Sequence, residues 1–505
     1  MKLPYLTDLG EASKKYVVSF RGLNYGEGWQ DGEFAECRNL SSELYPCLTQ
    51  RRERVKKGEY TSPTALHAKE KLLVVDGTSV LYNGKVVGTV TAGKKQIATV
   101  GNYIIIFPDK VYYNVSNGTF SSMEATHTST GLVFTTSTIT TTGADWPFKA
   151  GDAVEITGCT AAPENNKTPI VRSVSGKVLT FYDNTFTAAT EAGSVTVKRK
   201  VPDLDFICES NYRLWGTCGN TIYGSKYGDP LNFYVYDGLT SDSYFIDVAS
   251  DGAFTGCIPY SSHICFFKEN TLHKLYGSKP SNFQIVTSNV YGVQSGCEKS
   301  LCIVNETLYY KGVNGVYAYT GGVPELISEK FGTKRFSDAA ACSDGERYYI
   351  YMKHGTEWGL YVYDVLRGLW MKEDETHAID MCFHEGSVYF IGGDGCLYQI
   401  DRTAGKNVDW MVEFTPFNET MNERKGYSKF HLRLDLEAGS WLTVEIRTDL
   451  DNKWKKVCTT HNELAKTMTV PIIPTRCDKV SVRVSGKGEC LIRTFIREFR
   501  TGSDV

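Results

Sequence analysis

Apolar and polar residues alternate over short stretches along almost the whole chain, and helical periodicity is scarce. Seven stretches repeat one plan: an alternating strand, a turn holding Gly, Asn or Asp, and a second strand rich in tyrosine or another aromatic. They read LLVVDGTSVLYNGK from Leu72, YIIIFPDKVYYNVSNG from Tyr103, RLWGTCGNTIYGSKYG from Arg213 and HICFFKENTLHKLYGS from His263. The remaining three are TLYYKGVNGVYAYTGG from Thr307, RYYIYMKHGTEWGLYVYD from Arg347 and SVYFIGGDGCLYQID from Ser387. Each is the pattern of a β-hairpin.

From the third stretch onward the repeats are spaced by roughly 40 to 50 residues, the length of a four-stranded propeller blade. An all-β fold is therefore expected, with a β-propeller of six to eight blades, seven matching the count, over residues 65–124 and 201–401. Unrelated hairpins within one large sandwich are the alternative. In TIYGSKYGDPLNFYVYDG, Thr221 to Gly238, the turn falls at Gly228-Asp229-Pro230. Tyr223, Tyr227, Phe233, Tyr234 and Tyr236 are expected to fill the spaces between blades.

Three regions depart from this plan. Residues 125–200 carry a Thr/Ser-rich run and four or five short strands with Gly turns, as in a small β-barrel inserted into a blade loop. After residue 401 the alternation becomes strict. Leu432, Leu434 and Leu436 oppose His431, Arg433 and Asp435, and Val480, Val482 and Val484 oppose Lys479, Ser481 and Arg483. A C-terminal antiparallel β-sandwich over 402–505 is expected, with one short helix candidate, NELAKTM from Asn462. Residues 1–64 are Gly-rich, aromatic and poorly periodic, and read as an extended N-terminal arm that completes the ring or reaches a neighbour.

Composition supports a large β core. The chain has 505 residues, 41% hydrophobic and 12% aromatic, with 31 tyrosines and 47 glycines. The net charge of −3 mixes both signs, so no broad basic field would draw in nucleic acid. The N-terminus lacks the apolar segment of a secretion signal, and no apolar run is long enough for a bilayer span. Synthesis in a cytoplasm and no membrane span are therefore expected. The fifteen cysteines include no Cys-x-x-Cys pair. Cys257, Cys265, Cys302, Cys382 and Cys490 sit among strand residues and read as buried thiols. Six Asn-x-Ser/Thr sequons, Asn114, Asn117 and Asn305 among them, read as turn chemistry.

Candidate chemistry is sparse. The nine histidines form no metal-binding spacing, and no phosphate-cradling glycine loop or nucleophile elbow occurs. No catalytic residue, cofactor or metal is expected. DLDNKW at Asp449 reads as a hairpin turn, and Arg476 with Asp478 as a pair within the sandwich. Arg51 to Lys57, RRERVKK, is the one dense basic run. It reads either as a solvated strand edge or as a contact for phosphate or an acidic partner.

Three segments resemble one family. GLNYGEGWQDGEFAECRNLSSELYPCLTQRRER from Gly22 is similar to the N-terminal arm of phage tail structural proteins, with Gly-Leu-Asn, then Gly-Glu-Phe, Arg-Asn-Leu-Ser-Ser and Tyr-Pro-x-Leu-x-x-Arg. YGSKYGDPLNFY from Tyr223 resembles a blade turn of the stabilisation or nozzle proteins of short-tailed bacteriophages. The segment from Arg476 to Val505 resembles their C-terminal sandwich. The resemblance implies a virion subunit, made in the bacterial host cytoplasm, that joins a homo-oligomeric ring below the portal. It would contact portal, adaptor and other tail proteins. Genomic DNA would pass through its channel without sequence-specific binding, be retained there, and be released on infection. Trp29, Phe34, Tyr45 and Arg51 are the candidate subunit contacts. A receptor- or glycan-binding tail-tip protein, using aromatics such as Trp146 or Trp358, is the alternative, and a propeller glycan hydrolase the third.

Overall fold

The structure, a computed structural model, describes residues 12–182, 186–419, 424–461 and 464–501. The chain is all-β: many small sheets and four short 3-10 turns, with no α-helix among the described residues. It divides into two compact units, residues 60–301 and residues 1–59 with 302–505.

The 60–301 unit holds four antiparallel four-stranded sheets, each a meander in chain order. The second shows why the sequence forms them. In Tyr103–Phe107, Ile104 and Ile106 pack with Leu73 and Val75 of the first sheet. Ile105 and Phe107 face the other way, against Leu214 and Phe233 of the third. A strand buried on both faces reads as an unbroken apolar run rather than an alternation. Trp215 of the third sheet and Phe266 of the fourth continue the stack. The first strands of successive sheets, Pro63–Lys69, Gln96–Val100, Phe206–Ser210 and Phe254–Tyr260, lie side by side. The row curls: just after the fourth sheet, Lys299 Nζ donates to Thr64 O at 3.3 Å, and Gln96 Nε2 donates to Glu298 Oε1 at 3.4 Å.

Between the second and third sheets lies a six-stranded sheet with its own core of Leu132, Phe134, Ile139, Val154 and Val195. Its end strands are Val154–Thr157 and Val171–Ser175. Main-chain hydrogen bonds join these ends, Val171 N to Asp152 O at 2.8 Å and Val154 N to Pro169 O at 3.0 Å. Glu191, with 0% exposure, accepts from the amides of Thr160, Ala161 and Ala162 at 2.9–3.0 Å.

The other unit holds three more four-stranded sheets. Two are sequential meanders between Cys302 and Asp374. The last takes Ala378–His384, Ser387–Gly392 and Cys396–Ile400 from one end of the chain and its outer strand, Arg54–Glu59, from the other. Tight two-residue turns recur, with both central residues at positive φ: Asn305 (47°) and Glu306 (65°), and Glu385 (45°) and Gly386 (79°). This is the backbone that matches strand twist in a hairpin.

Two six-stranded sheets complete this unit and pack face to face. One contains Lys425–Leu436, Leu464–Cys477 and Cys490–Thr501, and the other Asp409–Phe414, Trp441–Thr448, Lys455–Thr460 and Val480–Lys487. Phe414 of one sheet stacks on Phe495 of the other, ring centroids 5.2 Å apart. Leu432, Leu434 and Leu436, and Val480, Val482 and Val484, all point into this core.

Several expectations are corrected here. Residues 12–64 do not form an extended arm. Ser13–Val17, Leu40–Ser41 and Leu48–Gln50 belong to the first large sheet, and Gly22–Leu23 and Glu33–Arg38 to the second. Phe20, Leu23 and Phe34 are core residues that an arm would leave in water. The helix candidate falls partly on residues 462 and 463, outside the described residues, and from Leu464 onward the chain is strand.

Phe34 lies against Phe20 and Phe414. Phe34→Ala is expected to cost about 3–5 kcal/mol in chemical denaturation, whereas Tyr45→Ala, at a half-exposed site, should cost about 1 kcal/mol or less.

Candidate functional site

The basic run beginning at Arg51 is folded into the protein. The strand Arg54–Glu59 pairs with Cys396–Ile400, which carries Arg51 and Arg54 to Glu373 and Asp374. Arg54 Nη2 lies 2.7 Å from Glu373 Oε2 and Nη1 2.8 Å from Asp374 Oδ2. Arg51 Nη2 reaches Asp374 Oδ2 at 3.2 Å, and Arg52 Nη2 reaches Glu43 Oε1 at 2.7 Å. Burial works against the Asp374 carboxylate, but the Arg54 and Arg51 charges more than offset it and hold the carboxyl below its usual range. Burial likewise opposes the Arg54 charge, which Asp374 and Glu373 restore and strengthen.

Residues of the Gly22–Arg54 pattern bind one another and the sheets around them. Asn24 Nδ2 donates to Glu33 Oε2 at 2.8 Å, Arg51 Nε to Asn39 Oδ1 at 2.7 Å, and Ser42 Oγ to Asp364 Oδ2 at 2.6 Å. The four candidate subunit contacts therefore have intramolecular places. Trp29 Nε1 donates to Pro416 O at 3.0 Å. Phe34 has no exposed surface to offer another chain. Arg51 is held as above. Tyr45 keeps 37% exposure, with its hydroxyl 2.8 Å from Ser19 Oγ and the Arg367 guanidinium over its ring.

The second site is the loop from Ser225 to Ser243, which joins Thr221–Gly224 to Tyr244–Asp247. Gly228, at φ 71°, makes the turn. Leu231, Phe233 and Val235 enter the core, while Tyr227, Tyr236, Leu239 and Phe245 stay exposed. Tyr227 and Tyr236 thus correct the expectation that all five aromatics pack between sheets. The buried Arg213 stitches the loop, donating to Ser225 O at 2.7 Å, Asp242 O at 2.5 Å and Thr240 O at 2.9 Å. Lys149 pairs with Asp229 at 2.5 Å, and Asn232 Nδ2 donates to Gly151 O at 2.6 Å, fixing the loop to the six-stranded sheet beside it. Tyr236 and Phe245 meet edge to face at 5.7 Å, and Tyr223 stacks on Phe245 at 6.4 Å. Trp146, proposed from sequence as an exposed platform, is buried and donates to Lys177 O at 2.8 Å. Trp358 is half-buried and stacks on His377 at 4.1 Å.

One regularity escaped the sequence reading. Cys208, Cys257, Cys302, Cys342 and Cys382 each lie on the first strand of a sheet, opposite an aromatic on the second: Trp215, Phe266, Tyr309, Tyr349 and Tyr389. Cys302, Cys342 and Cys382 recur at constant spacing, each with a tyrosine seven residues on, a signal that was available. All fifteen cysteines are free thiols, and burial pushes Cys302 and Cys265 up to about 12. Such thiols stay protonated and serve as small apolar groups. Among the described residues no cluster of three or more His, Cys, Asp or Glu side chains could hold a metal, and no helix is long and apolar enough to cross a membrane.

No family model and no curated protein matches the chain. Solved structures give distant likenesses. Hsv2 from Kluyveromyces lactis aligns at 15% identity and TM-score 0.29, covering 41% of this chain and 63% of that one. An exo-β-1,3-galactanase from Phanerochaete chrysosporium aligns at 7% identity and TM-score 0.22, covering 56% and 92%. The extracellular domain of a one-component system from B. thetaiotaomicron aligns at 8% identity and TM-score 0.25, covering 89% and 88%. At these TM-scores the likeness assigns neither fold nor function.

Arg54→Met would leave Glu373 and Asp374 buried without their main partner, and is expected to cost about 3–5 kcal/mol at pH 7. Because the folded Asp374 carboxyl lies below its unfolded value, its contribution is complete above about pH 4 and is lost as pH falls through the folded value. The stability gap between wild type and Arg54→Met, followed by denaturant titration, should therefore narrow below that pH.

Proposed function

We propose that this chain is a structural subunit of the tail of a short-tailed bacteriophage, with no catalytic role. Its seven four-stranded sheets would be the blades of one propeller. The six-stranded insert would close as a small barrel, and the paired large sheets would form the C-terminal sandwich. In the virion, copies would join in a ring below the portal that continues the DNA channel, retains the packaged genome and releases it on infection. Portal and adaptor proteins would be the neighbours. Net charge near neutrality suits such a conduit, since strong phosphate binding would slow passage.

The observation that carries this proposal is the Gly22–Arg54 pattern, which resembles a segment of phage tail structural proteins. Its Asn24–Glu33, Asn39–Arg51 and Ser42–Asp364 bonds tie the N-terminal strands into the surrounding sheets. A pattern conferring a shared framework, rather than a shared reaction, accords with a structural subunit.

A second reading, recognition of a cell-surface glycan, is favoured by the exposed rings of Tyr227, Tyr236 and Phe245, since aromatic faces stack on sugar C–H surfaces. It moves the platform from Trp146 and Trp358 to this loop.

Negative-stain microscopy and mass photometry of the purified chain, alone and mixed with a portal–adaptor complex, test the first proposal. Closed rings seated on the adaptor are expected; a chain that stays monomeric in every mixture would sink it. For the second, glycan-array binding should disappear in Tyr236→Ala and Phe245→Ala, and a blank array with the wild-type protein rejects it.

A further inference from the structure

A cleft of about 120 Å³ lies within the unit formed by residues 1–59 and 302–505, lined by Arg51, Arg52, Arg54, Arg347 and Arg402 together with four carboxylates. Four of the five arginines are matched. Arg51 and Arg54 hold Glu373 and Asp374, and Arg52 holds Glu43. Arg402 Nη2 lies 3.0 Å from Asp344 Oδ2 and 3.3 Å from Glu346 Oε2. The remaining lining carboxylate, Asp401, accepts from Thr403 N at 2.8 Å and Thr403 Oγ1 at 2.7 Å.

Arg347 is the exception. It is half-buried, Asp344 and Asp364 favour its charge, and no carboxylate among the described residues forms a direct ion pair with it. Its guanidinium hydrogen-bonds the Tyr349 hydroxyl, which itself donates to Asp344 Oδ2 at 3.1 Å. A guanidinium carries five N–H donors, and that of Arg347 lines the cleft.

The geometry points to a binding site for a small oxyanion of the phosphate class, held chiefly by Arg347 with Arg402 at the rim. At about 120 Å³ the cleft has room for a phosphate group. Guanidinium groups match a tetrahedral oxyanion with paired charge-assisted bonds. A second cleft of about 680 Å³ shares Arg51 and Arg54, so the anion could be free phosphate or the head of a phosphate monoester. The site is independent of the tail-subunit proposal.

Isothermal titration calorimetry at constant ionic strength decides it, with inorganic phosphate, a nucleoside monophosphate and acetate as separate titrants. Saturable one-site binding of phosphate or the monophosphate is expected, and the tighter of the two identifies free anion or ester. Arg347→Met should weaken binding by about tenfold or more, the loss of one charge-assisted pair. The exposed Arg38→Gln should leave it unchanged. If Arg347→Met does not fold, Arg402→Gln, whose side chain is 50% exposed, takes its place and should weaken binding by about threefold or more. No saturable heat, unchanged affinity in the cleft variants, or acetate binding as tightly as phosphate would each overturn the site.

Discussion

A sheet apolar on both faces cannot stand alone in water, and the arrangement of the small sheets follows from that constraint. Ile104 and Ile106 leave one face of the second sheet for the first, while Ile105 and Phe107 leave the other for the third. Fully burying such a side chain contributes about 1.5–3 kcal/mol, and each strand spends half of that on each neighbour. Removing one sheet would therefore expose two others. This interdependence makes repetition obligatory, as in other stacked-repeat proteins, and leaves no place for a covering helix.

The same logic reaches the chain ends. The N-terminal strands are divided among three sheets, two large and one small, so the unit formed with residues 302–505 cannot finish folding until both ends are present. Pairings such as Val17 with Phe495 and Arg54 with Ile400 join residues hundreds of positions apart. Loop-closure entropy opposes such contacts until other pairings have formed. Charges reinforce the late step. Arg497, with 0% exposure, reaches Asp31 at 2.7 Å and Glu419 at 2.6 Å, and its guanidinium lies over the Phe417 ring at 3.9 Å. One guanidinium thus joins the N-terminal segment to the C-terminal sheets.

How much of this was legible depended on whether the cause was local. Hairpins were legible because strand period and turn residues lie within a dozen positions, as in Tyr103–Phe107 and its neighbours. The buried registers of Leu432–Leu436 and Val480–Val484 were legible for the same reason. The N-terminal segment was misread because its strands are two to six residues long, too short to show a period, and their partners lie far along the chain. Trp146 was misread because a lone tryptophan beside a proline gives no sign of the core it enters. Tyr236 follows buried Phe233 and Val235 in alternation, and Tyr227 sits beside the Gly228 turn, but both belong to a loop, where period carries little information. The cleft around Arg347 could not be foreseen: its arginines come from three separated segments, and only strand pairing brings them together.

Arginine, rather than an apolar residue, sits at that junction at a cost in desolvation, since replacing a buried ion pair with well-packed apolar groups is often neutral or stabilising. Charge does give direction. Arg51 and Arg54 accept only a neighbour presenting Glu373 and Asp374, so the N-terminal strand finds one edge among the many open edges that a chain of small sheets presents. Specificity of that kind explains Arg51 and Arg54. It does not explain Arg347, which is neither paired with a carboxylate nor needed for register, because the Arg347–His354 strand is already fixed by ladders on both sides. Asp344 and Asp364 favour its charge without a direct ion pair, and an anion in the cleft would supply the contacting partner that they do not.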